Sequence, residues 1–554
     1  MNVAAVLMDI LRATGVRYLF GNPGTTELTF LDAPADSNLE YVLGLQEATA
    51  VAAADGYAQA SGTPGVVNVH VAPGLANSLA IVHNAARSKS PLIVTAGQQD
   101  TRYLMHEPIL AADLAEMARP FTKWAHEVRR ADDAPQALRR ALKTALTPPT
   151  GPVFLSLPMD LMTEVVEDVG GGPPPVAART RPDGAALAEA AALLASAKSP
   201  AIIAGDGVAR SGAVDALVAV AERLGARVHG EPIYRRVNFP ATHGLWRAGI
   251  FPTPAAVRKA LEDCDVLLIV GANVFTWFLP TEGGPFPRGL KVVQLDDDAW
   301  EIGRSHAVTL GLVADPRTAL AELDAALATR MDDGARRAAA ARAETLARGR
   351  AAARARIDEA ALGEADRVPI SPAFLMHTLA SLLPEDAVIV DESATSLGFV
   401  LRYLPFARPH TFFGSKSGTL GWGMGGAIGV QLATKQHVVA TIGDGGLMYA
   451  PQALWTAARY RLPITYVVPN NASYAILKSG MLSLDLPSAK RGIYPGMDIT
   501  DPEVDYVGLA AALGVRATRV DKPGDLRDAL GAALAHAGPA LVDVAIDRGF
   551  RAML

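Results

Sequence analysis

At 554 residues, half of them hydrophobic, the chain is too long for one core and divides into about three domains. A formal net charge of −6 without a basic patch or charged tail excludes a nucleic-acid binder, and no apolar run reaches the roughly 20 residues that would cross a bilayer. Cys264 is the single cysteine, which excludes intramolecular disulfides and zinc–cysteine sites; Met1-Asn2-Val3-Ala4-Ala5 lacks the basic start of a signal peptide, so the expectation is a cytoplasmic enzyme.

In chain order, the spacing predicts an amphipathic helix over Val3–Thr14 and a short strand at Tyr18-Leu19-Phe20, then the breaker-rich turn Gly21-Asn22-Pro23-Gly24-Thr25-Thr26. Strands at 66–69, 92–96 and 153–157 complete a first α/β domain, residues 1–168. A linker, 169–184, contains Gly170-Gly171-Gly172-Pro173-Pro174-Pro175, stiffened by its prolines. Residues 185–332 form a second α/β domain with strands near 201–204, 266–270 and 291–295. It carries no G-x-G-x-x-G fingerprint, so no nucleotide and no FAD is assigned to it. The Ala/Arg/Glu-rich stretch 333–367 reads as a helical connector with a solvated face. A third α/β domain, 368–554, ends in the strand Ala540–Val544. Strands alternating with helices predict three doubly wound, mostly parallel sheets.

The chemistry concentrates between Gly443 and Tyr474. Gly443-Asp444-Gly445-Gly446 follows the apolar run Val438–Ile442, and Asn470-Asn471-Ala472-Ser473-Tyr474 follows Ile464–Val468, with helical spacing between them. In such a βαβ unit the parallel strands end on one sheet edge, which brings Asp444 and Asn471 together where open α/β sheets bind ligands. A carboxylate, an amide oxygen and a backbone carbonyl suit a hard divalent ion such as Mg²⁺ whose shell is completed by phosphate oxygens. Gly445 and Gly446 let backbone approach a diphosphate. Alone, Gly-Asp-Gly is a turn and Asn-Asn a loop. Gly205-Asp206-Gly207 also follows a strand but has no Asn pair after it, and it reads as a turn. Glu47 precedes a helix of small and apolar residues, Ala48–Ala54. Such a helix is buried, so Glu47 is expected to be a buried carboxyl able to exchange a proton near neutral pH, unless it only caps the helix. His70, at the end of the strand Val66–Val69, is a candidate for proton transfer, although a lone histidine there is more often structural.

The Gly-Asp-Gly and Asn-Asn spacing resembles that of thiamine diphosphate enzymes. Gly21-Asn22-Pro23-Gly24, Leu45-Gln46-Glu47-Ala48, Ala54-Asp55-Gly56-Tyr57-Ala58 and Pro91–Gly97 resemble the pyrimidine-binding domain of the decarboxylase and acetolactate synthase-like family, benzoylformate decarboxylases above all. The resemblance implies pyrimidine-binding, central and diphosphate-binding domains, in that order. It implies that Glu47 bonds the aminopyrimidine N1′ and promotes loss of the thiazolium C2 proton, after which a 2-oxo acid is attacked and CO₂ leaves. Leu420 is the implied wedge under the bent cofactor, and the Gly418 carbonyl the acceptor from its 4′-amino group. Asp444, Asn471 and the Ser473 carbonyl are implied ligands of Mg²⁺, with Thr395, Gly445, Gly446 and Tyr474 around the diphosphate. His70 matches the family's active-site histidine and Asn77 a neighbouring polar contact. Thr25 stands at the serine that meets the substrate carboxylate, and Leu110, with His106 beside it in the same loop, matches a pocket segment.

Three departures bear on the reaction. Phe278 falls where the decarboxylases have a second catalytic histidine, and it cannot transfer a proton. Thr25 is bulkier and stiffer than serine. Ile476 replaces a smaller residue and Gly480 an aromatic in the pocket segment that also holds Leu477. The expected function is decarboxylation of an aromatic or branched 2-oxo acid, with carboligation as a side activity, in a homodimer or homotetramer whose cofactor lies between the first domain of one subunit and the third of another. A carboligase or lyase of the same family, acetolactate synthase-like or benzaldehyde lyase-like, forming 2-hydroxyketones is the first alternative, since losing a proton donor favours ligation. A non-catalytic assembly or regulatory subunit is the second.

Overall fold

The computed structural model describes residues 1–33, 39–167, 171–174 and 176–553. Gly170 and Pro175 of the linker lie outside the described residues. The strands form three six-stranded sheets. The first holds β1 (Tyr18–Gly21), β2 (Glu40–Leu43), β3 (Gly65–Val69), β4 (Leu92–Gln98), β5 (Ala125–Glu127) and β6 (Val153–Pro158) in the order β2-β1-β3-β4-β6-β5. The second holds β7 (Pro200–Ala204), β8 (Arg227–Gly230), β9 (Trp246–Gly249), β10 (Val266–Val270), β11 (Lys291–Asp296) and β12 (Leu310–Val313) in the order β12-β11-β10-β7-β8-β9. The third holds β13 (Val388–Glu392), β14 (Phe412–Gly414), β15 (Val438–Ile442), β16 (Ile464–Asn470), β17 (Arg516–Val520) and β18 (Ala540–Ala545), in the order β14-β13-β15-β16-β18-β17. The first and third orders are the same winding.

Alternation along each strand explains why both faces are covered. Val67, Val69, Val94, Ala96 and Phe154 enter one apolar layer, while Val66, Ile93, Val153 and Leu155 enter another. The second layer packs against α1 (Val3–Ala13), whose N-cap Asn2 accepts from Ala5 N–H. The first layer packs against α2 (Glu47–Ser61) and α3 (Val71–Arg87) and continues without a break into Trp422, Ile428 and Tyr466 around the third sheet.

The three sheets gather into two compact units. One comprises Met1–Val176, Ala365–Val400 and Phe413–Leu554; the other comprises Ala177–Glu364 with Leu401–Phe412. In the second unit, α4 (Asp333–Leu362) is more than a connector: Arg342 donates to Leu224 O (2.5 Å) and Arg350 to Ala241 O (2.9 Å), while Ala339 packs against Gly225. In the first unit, α5 (Trp422–Thr434) lies against α2, and α6 (Ala453–Arg459) leads to Tyr460, whose hydroxyl accepts from Leu43 N–H (2.9 Å) and donates to Tyr41 O (3.0 Å), covering the edge strand β2. The last helix that matters for the site, α7, spans Ala475–Ser483. Among the described residues no helix is long and apolar enough to cross a membrane.

Candidate active site

The windings reverse direction between β1 and β3, between β7 and β10, and between β13 and β15. The crevice at the carboxyl end of such a reversal is where open α/β sheets bind ligands.

In the first sheet this crevice holds Glu27 and His70. Glu27, 1% exposed, accepts from Gly97 N–H (2.9 Å) and Thr26 Oγ1 (2.8 Å) with one oxygen and faces His70 Nδ1 at 2.8 Å with the other. A carboxylate only accepts, so it fixes the proton on Nδ1 and makes Nε2 the acceptor nitrogen of the ring. Two glycines make room: a Cβ at Gly24 would lie 1.9 Å from His70 Nδ1, and one at Gly97 would lie 2.2 Å from Glu27 Oε1. Val71, next to His70, is held at φ +41°, a strained value for a β-branched residue. Thr25 is exposed in the turn above, whereas Thr26 is buried.

Glu47 opens α2 at the same edge, where Asn77 Nδ2 donates to its Oε2 (3.1 Å). The expectation of a buried carboxyl is corrected here. The helix is buried from Thr49 to Gln59, but Glu47 is only half-buried, because it occupies the first turn, which projects past the strand ends. Nor does it cap the helix: Gln46 does, accepting from Thr49 N–H (3.2 Å).

In the third sheet the crevice lies between Ser393–Ser396 and Gly443–Gly446. Asp444, 4% exposed, stands near the backbone amides of Gly445, Ala472 and Ser473, yet its Oδ2 has no partner. Burial, with Asp543 nearby, pushes its carboxyl up to about 6 despite those amides. The Asn pair divides its work. Asn470 is structural, donating to Asp543 Oδ1 (2.9 Å), whereas Asn471, also buried, closes the turn by accepting from Ser473 N–H (3.1 Å). Ser473 Oγ and Tyr474 N–H both donate to Met497 O, at 2.8 Å each. The space that Gly445 and Gly446 leave is used by the chain itself, since a Cβ at Gly445 would strike the Tyr474 ring and one at Gly446 would lie 3.1 Å from Glu392 Oε1.

Glu392, unremarked in the sequence, ties the two halves of this crevice together. Its oxygens accept from Gly421 N–H and Gly423 N–H, both at 2.6 Å, an anion held at the start of α5. The loop just before carries Gly418, exposed at φ +77°, and the half-buried Leu420. Thr395 is half-buried beside Ala394, which sits at φ +36°. On α7, Ile476 is half-buried, Leu477 exposed, and a Cβ at Gly480 would lie 3.5 Å from Met553 Cε. Lys478, between them, is buried beneath the Tyr494 and Phe550 rings and pairs with Asp498. Leu110 packs on the core at φ +75°, while His106 is exposed. Phe278 belongs to the second unit; its N–H donates to Pro252 O (2.8 Å) and its ring is 49% exposed.

A lone carboxylate oxygen beside an amide fits a hard divalent cation only when anionic oxygens complete the shell. Among the described residues no three His, Cys, Asp or Glu side chains stand together as a metal group. The crevice of the second sheet is closed: a Cβ at Gly205 would lie 2.3 Å from Gly271 O, and Glu231 accepts from Asp206 N–H (2.9 Å) and Asn273 N–H (2.8 Å). A carboxylate thus takes the amides that a nucleotide diphosphate would need.

Comparison with known proteins agrees with this geometry. Residues 1–117 match the N-terminal thiamine pyrophosphate-binding domain of thiamine pyrophosphate enzymes, 187–323 the central domain, and 394–544 the C-terminal thiamine pyrophosphate-binding domain. Benzoylformate decarboxylase of Pseudomonas aeruginosa is 34% identical over 97% of both chains. A probable acetolactate synthase large subunit of Methanocaldococcus jannaschii is 28% identical over 99% of this chain and 92% of its own. The crystal structure of benzoylformate decarboxylase from Polynucleobacter necessarius superposes with a TM-score of 0.88 at 30% identity, covering 100% of each chain. The chain belongs to the thiamine diphosphate-dependent family of 2-oxo acid decarboxylases and acetolactate synthase-like enzymes.

Proposed function

We propose that the protein is a cytoplasmic, thiamine diphosphate- and Mg²⁺-dependent decarboxylase that converts an aromatic or branched 2-oxo acid to aldehyde and CO₂, with carboligation as a side activity. One observation carries the reading: two separate acid–base groups on one sheet edge, Glu47 oriented by Asn77 and His70 oriented by buried Glu27. The 34% identity to a benzoylformate decarboxylase supports the substrate class.

When bound, thiamine diphosphate supplies a carbon nucleophile for the 2-oxo carbonyl and a sink for the electron pair released with CO₂. Glu47 would face the pyrimidine N1′ as its proton partner, and the Gly418 carbonyl would accept from the 4′-amino group. Leu420 would pack against the cofactor as its apolar wedge. Asp444 Oδ2, Asn471 Oδ1 and the Ser473 carbonyl would hold Mg²⁺, while Thr395, Gly445, Gly446 and Tyr474 would border the diphosphate. The Thr25 hydroxyl meets the substrate carboxylate, and Leu110, Ile476, Leu477 and Gly480 shape the side-chain pocket. His70 Nε2 would hold the proton required at the carbon that CO₂ leaves. The catalytic assembly is a homodimer or homotetramer.

The test uses purified protein, thiamine diphosphate, Mg²⁺ and a panel of 2-oxo acids, following CO₂ and identifying the organic product by mass spectrometry. Aldehyde should appear in step with CO₂ and fall by about 10²- to 10⁴-fold in Glu47→Gln, the usual contribution of a positioned acid–base group. Phe278, standing where the decarboxylases carry a histidine, favours a second reading as carboligase; hydroxyketone without free aldehyde would establish it. Cofactor binding with no turnover of any 2-oxo acid would point instead to a regulatory subunit.

A further inference from the structure

Asn84, fully buried on α3, takes no part in the chemistry above, yet its amide bridges that helix to the loop before α5. Its Oδ1 accepts from Lys416 N–H (2.8 Å), Ser417 N–H (3.2 Å), Ser415 Oγ (3.2 Å) and Ser417 Oγ (3.2 Å). Its Nδ2 donates to Asp55 Oδ2 (3.0 Å), on which Gln59 Nε2 (3.1 Å) and Trp422 Nε1 (2.7 Å) also converge. Beyond Ser417 the loop is pinned again: Ser417 Oγ and Thr419 Oγ1 are 2.8 Å apart, and Thr419 Oγ1 donates to Ala80 O (3.1 Å), one turn of α3 away. Asn77, Ala80 and Asn84 follow one another along one face of that helix. The helix that orients Glu47 at its start therefore holds the Ser415–Thr419 loop further along.

From this we infer that Asn84 is a positioning residue for the loop Ser415–Leu420, setting where the Gly418 carbonyl and the Leu420 side chain meet the pyrimidine half of the cofactor. The inference rests on the proposed cofactor roles of Gly418 and Leu420. Only an asparagine fits the position. An aspartate would set two carboxyl groups against each other at Asp55, glutamine is one carbon too long, and alanine leaves the buried amides of Lys416 and Ser417 without their acceptor. Gly418, with open space around it and φ +77°, contributes no side-chain anchor of its own. The register of the loop is thus left to Asn84 and Thr419.

The test compares two probes on the full-length protein with Mg²⁺: thiamine diphosphate, and inorganic pyrophosphate, which reads only the diphosphate side. In Asn84→Ala, binding of thiamine diphosphate and exchange of its C2 proton for deuterium should each fall by about 100-fold, the scale of an ångström-sized misplacement, while pyrophosphate affinity stays within about twofold. Should Asn84→Ala not fold, Ser417→Ala removes one Asn84 contact and the Thr419 link, and should give a smaller loss of the same pattern. Equal loss of both ligands, or of neither, overturns the inference. If the wild type itself neither binds thiamine diphosphate nor exchanges its C2 proton, the functional reading falls, an outcome distinct from failure of the variant alone.

Discussion

Asp444 carries the clearest pH signature at the scale of single residues. An aspartate that ordinarily titrates at 3.8 is pushed up to about 6 by burial. Its folded-state value lies above its unfolded value, so its contribution to stability is present at low pH and lost as pH rises from about 4 through about 6. The cofactor-free protein therefore loses stability over that window, because a charge is left buried. A divalent cation needs the ionised form, so protons compete with it below about 6. At pH 5 the affinity for Mg²⁺ and diphosphate together should be about tenfold below its plateau, one pKa unit being a factor of ten. Asp444→Asn should bind weakly and lose this dependence, keeping only that of the diphosphate itself; a wild type whose pH profile tracks the variant's would refute the assignment. Asp444 and Asn471 were legible because the turn sequences that carry them follow apolar runs directly. Glu27 was not. Its role depends on Gly97 and His70, 70 and 43 residues away in the chain, and nothing local separates it from an ordinary loop acid. Glu392 was hidden in the same way, as an acid ending an apolar strand.

At the scale of elements, the crossing of α2 and α5 fixes the unit that holds both crevices. It is made close by glycine: a Cβ at Gly429 would lie 1.8 Å from Ala53 O and 2.5 Å from Tyr57 N, and one at Gly56 would lie 2.3 Å from Gly426 O. Gly429→Ala should destabilise the protein by about 3 kcal/mol, the upper range for overpacking, read as a fall in Tm or loss of soluble protein. Gly531→Ala, in the helix Pro523–Leu534, meets nothing within 4 Å and should be stabilising by a few tenths of a kcal/mol to about 1 kcal/mol. Equal melting temperatures for the two variants would show that the helices can part without penalty. Central strands such as β4, β10 and β16 were legible because buried parallel strands read as short apolar runs, whereas the edge strands β2, β5 and β17 were not, because they carry polar residues. The crossing was not, since small residues on a helix carry no sign of which partner they approach. Nor was the first turn of α2: an all-apolar helix predicts burial, and only the projection of that turn beyond the strands leaves Glu47 half-buried.

For the whole molecule, the question is what covers the carboxyl edges. Large apolar side chains stand exposed on the connections that leave those edges: Leu28, Tyr103, Met105 and Ile109 beside the first sheet, Tyr449, Leu484 and Ile493 beside the third. Single exposed apolar groups need no explanation, but Met105 at 90% and Ile109 at 82% exposure flank one short loop. Chains of this kind that join edge to edge would bury these groups and exclude water from the acid–base groups. Sedimentation should therefore give twice or four times the 58.0 kDa of one chain. The double substitution Met105→Glu, Ile109→Glu places two charges in that contact and should shift the protein toward monomer. Because the proposed site draws on two subunits, thiamine diphosphate affinity and decarboxylation should fall in parallel with the fraction assembled. Raising the protein concentration should restore both by mass action. A wild type that is monomeric yet turns over, or a monomeric variant with unchanged cofactor affinity, would mean that one chain completes the site alone.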